Sequence, residues 1–145
     1  MGTEPDLRDT DDLRSELMEA ADLDSFLAEQ ADRFRQESFR ELLSRMFLKT
    51  GLSKAELARR SGVSTVYLHQ LFAGRRSPSR DRMLCLAVGL SASLDETNGM
   101  LRRCGMAELY PKDRRDAIIL YGIAHGEDLQ QIDQRLFAQN EATLL

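Results

Sequence analysis

The sequence predicts an all-α protein, and three observations point that way. Apolar residues recur at i, i+3, i+4 and i+7 along most of the chain, the period of a helix with one buried face. Ser-x-x-Glu boxes precede several of these runs, and such boxes satisfy the orphan N–H groups of a helix start. The C-terminal third repeats the segment before it at an offset of 35 residues, with caps and core positions in one frame. With 145 residues and 42% apolar content the chain can bury one core of ordinary size with a small appendage. About seven or eight helices with short connections are expected. They fall into an acidic, disordered tail over residues 1–12, short helices over 13–37, a central domain over 38–92 and a helical extension over 93–145.

Residues 1–12, MGTEPDLRDTDD, are nearly devoid of apolar side chains, which predicts disorder. Leu13, Leu17 and Met18, then Leu23, Phe26 and Leu27, lie at helical spacing, with Asp22 or Asp24 as a cap for the second group. Phe39, Leu42, Leu43, Met46 and Phe47 form a clean stripe that stops before Gly51. Its other face carries Arg35, Arg40, Arg45 and Lys49, read chiefly as solvation. Ser53 to Glu56 is a capping box, and the helix it starts turns Leu57 and Ala58 inward and ends at Gly62, with Val63 plugging the corner. Ser64 caps the next helix, where Leu68 and Leu71 point inward and Thr65, Val66, His69 and Gln70 outward. Pro78 and Ser79 open a helix holding Met83, Leu84, Leu86, Ala87, Val88 and Leu90, and the Ser93 to Glu96 box opens another that runs to Gly105.

The repeat then begins. Arg80-Asp81 aligns with Arg115-Asp116, MLCLAVG with IILYGIA, and the Ser93 box with Asp128 to Gln131. Leu94, Leu101, Ala107 and Leu109 align with Leu129, Leu136, Ala142 and Leu144. This predicts a duplicated helical hairpin, the second copy stacking on the first through Ile118, Ile119, Tyr121, Ile123, Leu129, Ile132 and Leu136. Two copies are too few for a solenoid.

Small Ala58, Gly62 four residues on, apolar Val63, Leu68 and Leu71, then Gly74-Arg75-Arg76-Ser77-Pro78, resemble the Cro/repressor (XRE) class of helix-turn-helix proteins over roughly residues 38–92. The resemblance implies a lambda-repressor-like domain, here extended by N-terminal acidic helices and a repeated C-terminal hairpin. LYPKDRRDAIILYG (109–122) is also similar to small bacterial regulators in which a helix-turn-helix is followed by further helices. In such modules the second motif helix enters the major groove and the first crosses the backbone. By position, Thr65, Val66 and Gln70 are implied to contact base edges. Gln70 can pair bidentately with adenine, and Thr65 or Val66 can meet a thymine methyl. Lys54, Ser64, Arg75 and Arg76 are assigned to phosphates, with Tyr67 and His69 as secondary contacts that could equally pack. Lys54 stands where the class often has Gln, and Phe72 where it often has Glu, so base preference does not transfer.

The expected function is a transcriptional regulator that binds double-stranded DNA as a dimer on a palindromic site. It is expected in the bacterial cytoplasm, nucleoid-associated when bound. The net charge of −4 conceals a partition: −9 over residues 1–32, +8 over 33–82 and −3 over 83–145. Affinity for a polyanion follows the local field, and that field is positive at the motif. The acidic arm can be read as a solvated helical cap on the core, as an inhibitor folding onto the basic face or as a dock for a partner; the plainest is favoured. Dimer contacts are expected from the C-terminal hairpin, with Phe137 and Leu144-Leu145, or from the N-terminal helices, and the C-terminal helices are also the place for a protein partner. Neither a membrane span nor an enzyme is expected. No stretch approaches about 20 apolar residues, and the chain has no Gly-rich phosphate loop and only His69 and His125 as histidines. His125 is read as a helix-end residue. Cys85 and Cys104 lack neighbours at ligand spacing, so buried reduced thiols are expected, with no metal and no cofactor. The competing function is a protein-interaction module, an antitoxin or adaptor, that keeps the fold without reading DNA sequence.

Overall fold

The computed structural model describes residues 7–31 and 37–145, which form nine helices and no strand. The chain divides into two units, one up to Glu37 and one from Ser38 to Leu145, each taken by itself below.

The first unit holds α1 (Leu7–Glu19) and α2 (Leu23–Glu29). Helix α1 starts six residues before the expected Leu13, so residues 7–12 of the supposed disordered tail are helical, and residues 1–6 lie outside the described residues. Asp22 caps α2 by accepting from the Ser25 hydroxyl and N–H, at 2.5 and 3.1 Å, and those bonds hold its carboxyl below the usual range. Leu17, Met18, Leu23 and Leu27 are exposed, and Phe26 is buried.

In the second unit, each helix starts where a short polar side chain accepts a backbone N–H three residues on. Ser38 caps α3 (Phe39–Thr50), Ser53 caps α4 (Lys54–Ser61), Ser64 caps α5 (Thr65–Phe72) and Ser79 caps α6 (Arg80–Gly89). Ser93 and Asp128 make complete capping boxes for α7 (Leu94–Arg103) and α9 (Leu129–Ala138), and Asp113 caps α8 (Arg114–Ala124). The box expected at Ser53 is only half made. Ser53 Oγ accepts from the Glu56 N–H, while the Glu56 carboxylate turns to Arg59 and Arg60, charged partners that outbid the cap N–H.

Helix α6 is the centre of the unit, because Met83, Leu84, Cys85, Leu86 and Ala87 are all fully buried. A helix apolar on every side must be covered on every side, and α4, α7 and α9 all pack on it. The core also takes Leu42, Leu43 and Leu57 from the preceding helices and Ile119, Leu129, Ile132 and Leu136 from the following ones. One expected contact is corrected. Tyr121 is 48% exposed and does not stack on the first hairpin, because Ile119 and Gly122 hold the inward side of α8.

The hairpins α6–α7 and α8–α9 are joined by reciprocal bonds. Arg80 donates both terminal nitrogens to the Asp116 carboxylate, at 3.0 and 2.9 Å. Arg115 donates both of its own to Asp81, at 2.8 and 3.1 Å. Arg80 also reaches the carbonyls of Ala107 and Glu108, and Arg115 those of Ala142 and Thr143. Asn98 Oδ1 accepts the Leu109 N–H as Asp133 Oδ1 accepts that of Leu144. The bonds to carbonyls and those from Leu109 and Leu144 recur 35 residues on, while the two arginine–aspartate pairs exchange partners between the hairpins.

Candidate nucleic-acid interface

Helix α4 is held on α6 by a close approach, and α5 follows it through a sharp turn. Gly89 lies against Ser61 so tightly that a Cβ there would strike the Ser61 side chain and crowd its backbone nitrogen, so α4 can cross α6 only with glycine at this point. The turn is made by Gly62 at φ 63°, the left-handed region, and its N–H closes the end of α4. Arg82 donates to the Gly62 carbonyl at 3.3 Å. A Cβ on Gly62 would run into Leu145, whose N–H, with that of Leu144, is held by the Asp133 carboxylate. The turn between the two motif helices is thus braced by the last residues of the chain.

Helix α5 then has one buried and one open side. Leu68 and Leu71 are sealed in the core, while Thr65, Val66 and His69 are exposed. Val66 is 67% exposed, an apolar side chain with no intramolecular use on a row that is otherwise polar. Ser64 is exposed, and its hydroxyl, which accepts the Tyr67 N–H at 3.0 Å, keeps its own proton to donate. Gln70 is half-buried at the far end of the row. The structure therefore brings Thr65, Val66 and His69 together on the open face, with Ser64 at its start and Gln70 at its edge.

Tyr67 packs on the rim of the core, and burial raises its phenol pKa. The Arg76 guanidinium lies 5.0 Å from its ring centre, and Lys54 Nζ lies 5.0 Å from that of Phe72. Aromatic faces are weak partners that leave a cation's donors available. Arg75 is exposed and, among the described residues, neither Arg75, Arg76 nor Lys54 has a carboxylate partner. The other cations near the motif are committed. Arg59 and Arg60 bind Glu56, whose carboxyl is lowered to about 2, first by the Arg59 hydrogen bond. Arg80 is bound by Asp116 and Arg82 by the Gly62 carbonyl.

Sequence reasoning missed Arg40. Its Nε donates to the Phe72 carbonyl at 2.7 Å, and its guanidinium lies against Gly74, so the start of α3 holds the end of α5 and the loop carrying Arg75 and Arg76. No local pattern signals this bond, which joins residues 32 apart. Arg35 lies outside the described residues. His125 is the C-cap residue of α8, as its position implied. Cys85 is buried, and burial pushes its thiol up to about 11; Cys104 is half-buried. Among the described residues no cluster is set to hold a metal ion, and no helix is long and apolar enough to cross a membrane.

Two short helices joined by a glycine turn, the second presenting an open row bordered by arginines that have no carboxylate partner among the described residues, define a helix-turn-helix unit. A family model described as a helix-turn-helix domain matches residues 26–99, just over half the chain, and the chain belongs to that family. No curated protein and no solved structure matches it.

Proposed function

We propose that the protein is a sequence-specific DNA-binding transcriptional regulator of the Cro/repressor (XRE) class, acting without catalysis in the bacterial cytoplasm. Helix α5 enters the major groove, with Thr65, Val66 and Gln70 on base edges. Lys54, Ser64, Arg75 and Arg76 meet phosphates on either side, and Tyr67 and His69 border them. The observation that carries this reading is the exposed row of α5, apolar Val66 included, flanked by Arg75 and Arg76 without a carboxylate partner. Exposed arginines without a carboxylate partner raise the local potential that a phosphate backbone requires, whereas Arg59 and Arg60 share the Glu56 carboxylate and Arg80 is neutralised by Asp116.

The two hairpins α6–α7 and α8–α9 are, in this proposal, duplicated copies. Reciprocal arginine–aspartate pairs and side-chain bonds recurring at one offset support that history better than apolar matching does. The regulator binds as a two-fold dimer on a palindromic site, which matches the symmetry of two major-groove half-sites. Of the expected dimer residues, Leu144 is spent in the core and Leu145 lies over the turn, while Phe137 is 77% exposed.

The test is selection from a randomised duplex pool by the full chain at two salt concentrations. Enrichment of a palindrome with affinity falling steeply as salt rises is the expected result, and absence of binding at low salt overturns the reading. Gln70→Ala should cost about 1–3 kcal/mol and relax one base position. Equal loss on the selected site and on random DNA would remove Gln70 from the reading set.

A further inference from the structure

Cations in this fold are held in two different ways. Arg59, Arg60, Arg80 and Arg115 lie against carboxylates, which fix a guanidinium and offset its charge. Lys54 and Arg76 lie against aromatic faces instead. Lys54 Nζ is 5.0 Å from the ring centre of Phe72, and Arg76 Cζ is 5.0 Å from that of Tyr67. A ring attracts a cation through its quadrupole and has no net charge, so it orients the cation without cancelling its field.

Both rings belong to α5, and the helical period puts them at the two borders of its open row. At about 100° per residue, Thr65, His69, Val66 and Gln70 follow one another over roughly 140° of the helix surface. Phe72 falls about 20° beyond Thr65 on one side, and Tyr67 about 60° beyond Gln70 on the other. Leu68 and Leu71 fill the core side between them. Both rings pack on the rim of that core. Phe72 is further fixed by Phe47, at 5.1 Å between ring centres, and by the Arg40 Nε–H that its carbonyl accepts at 2.7 Å. Lys54 stands in the first turn of α4, where the helix dipole disfavours a cation, so its local position does not account for it. Lys54 and Phe72 are also the two positions at which the motif departs from the class pattern, and they touch.

A helix lying in the major groove has a phosphate backbone along each side. We infer that Phe72 and Tyr67 are positioning residues for DNA binding, platforms that hold Lys54 and Arg76 at opposite borders of α5, one for each backbone. This deepens the proposed function and rests on its reading of α5. A cation ordered before binding loses less rotamer freedom when it meets its phosphate, and the ring leaves its N–H donors free to do so.

The test is a titration of duplex DNA with the full chain as wild type, Phe72→Leu, Phe72→Tyr, Lys54→Met and Phe72→Leu combined with Lys54→Met. A second arm takes Tyr67→Leu, Arg76→Ala and their combination, with circular dichroism of every variant. Phe72→Leu is expected to weaken binding about 3- to 5-fold on selected and random sequences alike, and Phe72→Tyr to restore it. Once Lys54 is replaced, Phe72→Leu should change nothing further, and Tyr67→Leu should likewise be silent beside Arg76→Ala. In the free protein the ring current of Phe72 should shift the Lys54 ε-methylene protons upfield, and Phe72→Leu should abolish that shift. Phe72→Met, unbranched and without a ring, carries the same expectations if Phe72→Leu loses its helical spectrum. Losses that simply add in both arms, or unshifted Lys54 protons in the wild type, overturn the inference. A wild type that binds no DNA sinks the regulator and this inference together, whereas DNA binding with additive losses sinks the inference alone.

Discussion

Arg75-Arg76 and Arg80 lie within six residues of one another, yet they do opposite work. Arg80 sends its guanidinium into a bidentate bond with Asp116 and two backbone carbonyls, and Arg115 does the same with Asp81, so these charges lock one hairpin to the other. Arg75 is exposed, and Arg76 rests on the face of Tyr67. The same side chain is structural when an internal carboxylate satisfies it and available to a ligand when none does. The +8 of residues 33–82 already subtracts Glu56 and Asp81, and the crossed pairs Arg80–Asp116 and Arg115–Asp81 leave that sum unchanged, so what the pairing decides is which cations carry it.

The sharpest way to break the comparison is to orphan the locked arginine. Asp116→Ala leaves Arg80 without its carboxylate and is expected to destabilise the fold by about 2–3 kcal/mol in a urea titration, a value reduced for the partial exposure of Arg80. Helicity should persist, and exchanging the two residues should recover part of the loss; a change below about 0.5 kcal/mol would show that the pair is ornamental.

Acid should act on the same lock. Burial pushes the Asp116 carboxyl up, but the Arg80 bond, the Tyr110 N–H and the charges of Arg80 and Arg115 outweigh it, so its pKa lies below the usual carboxylate value. A depressed carboxylate contributes stability that is present above its unfolded pKa and lost as pH falls through the folded one. Glu56, lowered from 4.5 to about 2, acts with the same sign. Stability followed by urea midpoint should therefore fall as pH drops from 4.5 toward 2, and Asp116→Asn should flatten that slope.

Arg40→Ala should cost about 1 kcal/mol, less than the loss of Asp116, because an exposed charged hydrogen bond to a carbonyl is at stake. It should also loosen the loop beyond α5, read as faster amide exchange at Gly74 and Arg75. Arg76→Ala should change stability by less than about 0.5 kcal/mol while weakening all DNA sequences alike and lowering the salt slope by about one. Stability losses of equal size at Arg76 and Asp116 would erase the distinction between the two groups of charges.

Much of this protein is legible one helical turn at a time. Ser53, Ser64, Ser79 and Ser93 each bond an N–H three residues away, and Gly51 and Gly62 take the left-handed turns that end α3 and α4. Such bonds depend on neighbours in sequence, so residue type and spacing determine them, as apolar period determines the buried sides of α3, α5 and α9. The open row Thr65, Val66 and His69 follows from the same period.

What the tertiary structure decided is the partner of each long side chain. Glu56 has a cap N–H and two arginines within reach, and only their arrangement in space selects the arginines. The exchange of Arg80 and Arg115 between hairpins, the bond from Arg40 to Phe72, the seating of Leu145 over Gly62 and the outward turn of Tyr121 all join or expose residues through packing. A guanidinium reaches any acceptor the fold brings near it, so its place in the sequence names its charge but not its partner. The sequence by itself therefore determined the helices, their caps and their apolar faces; packing determined which charges were consumed and which face was left open.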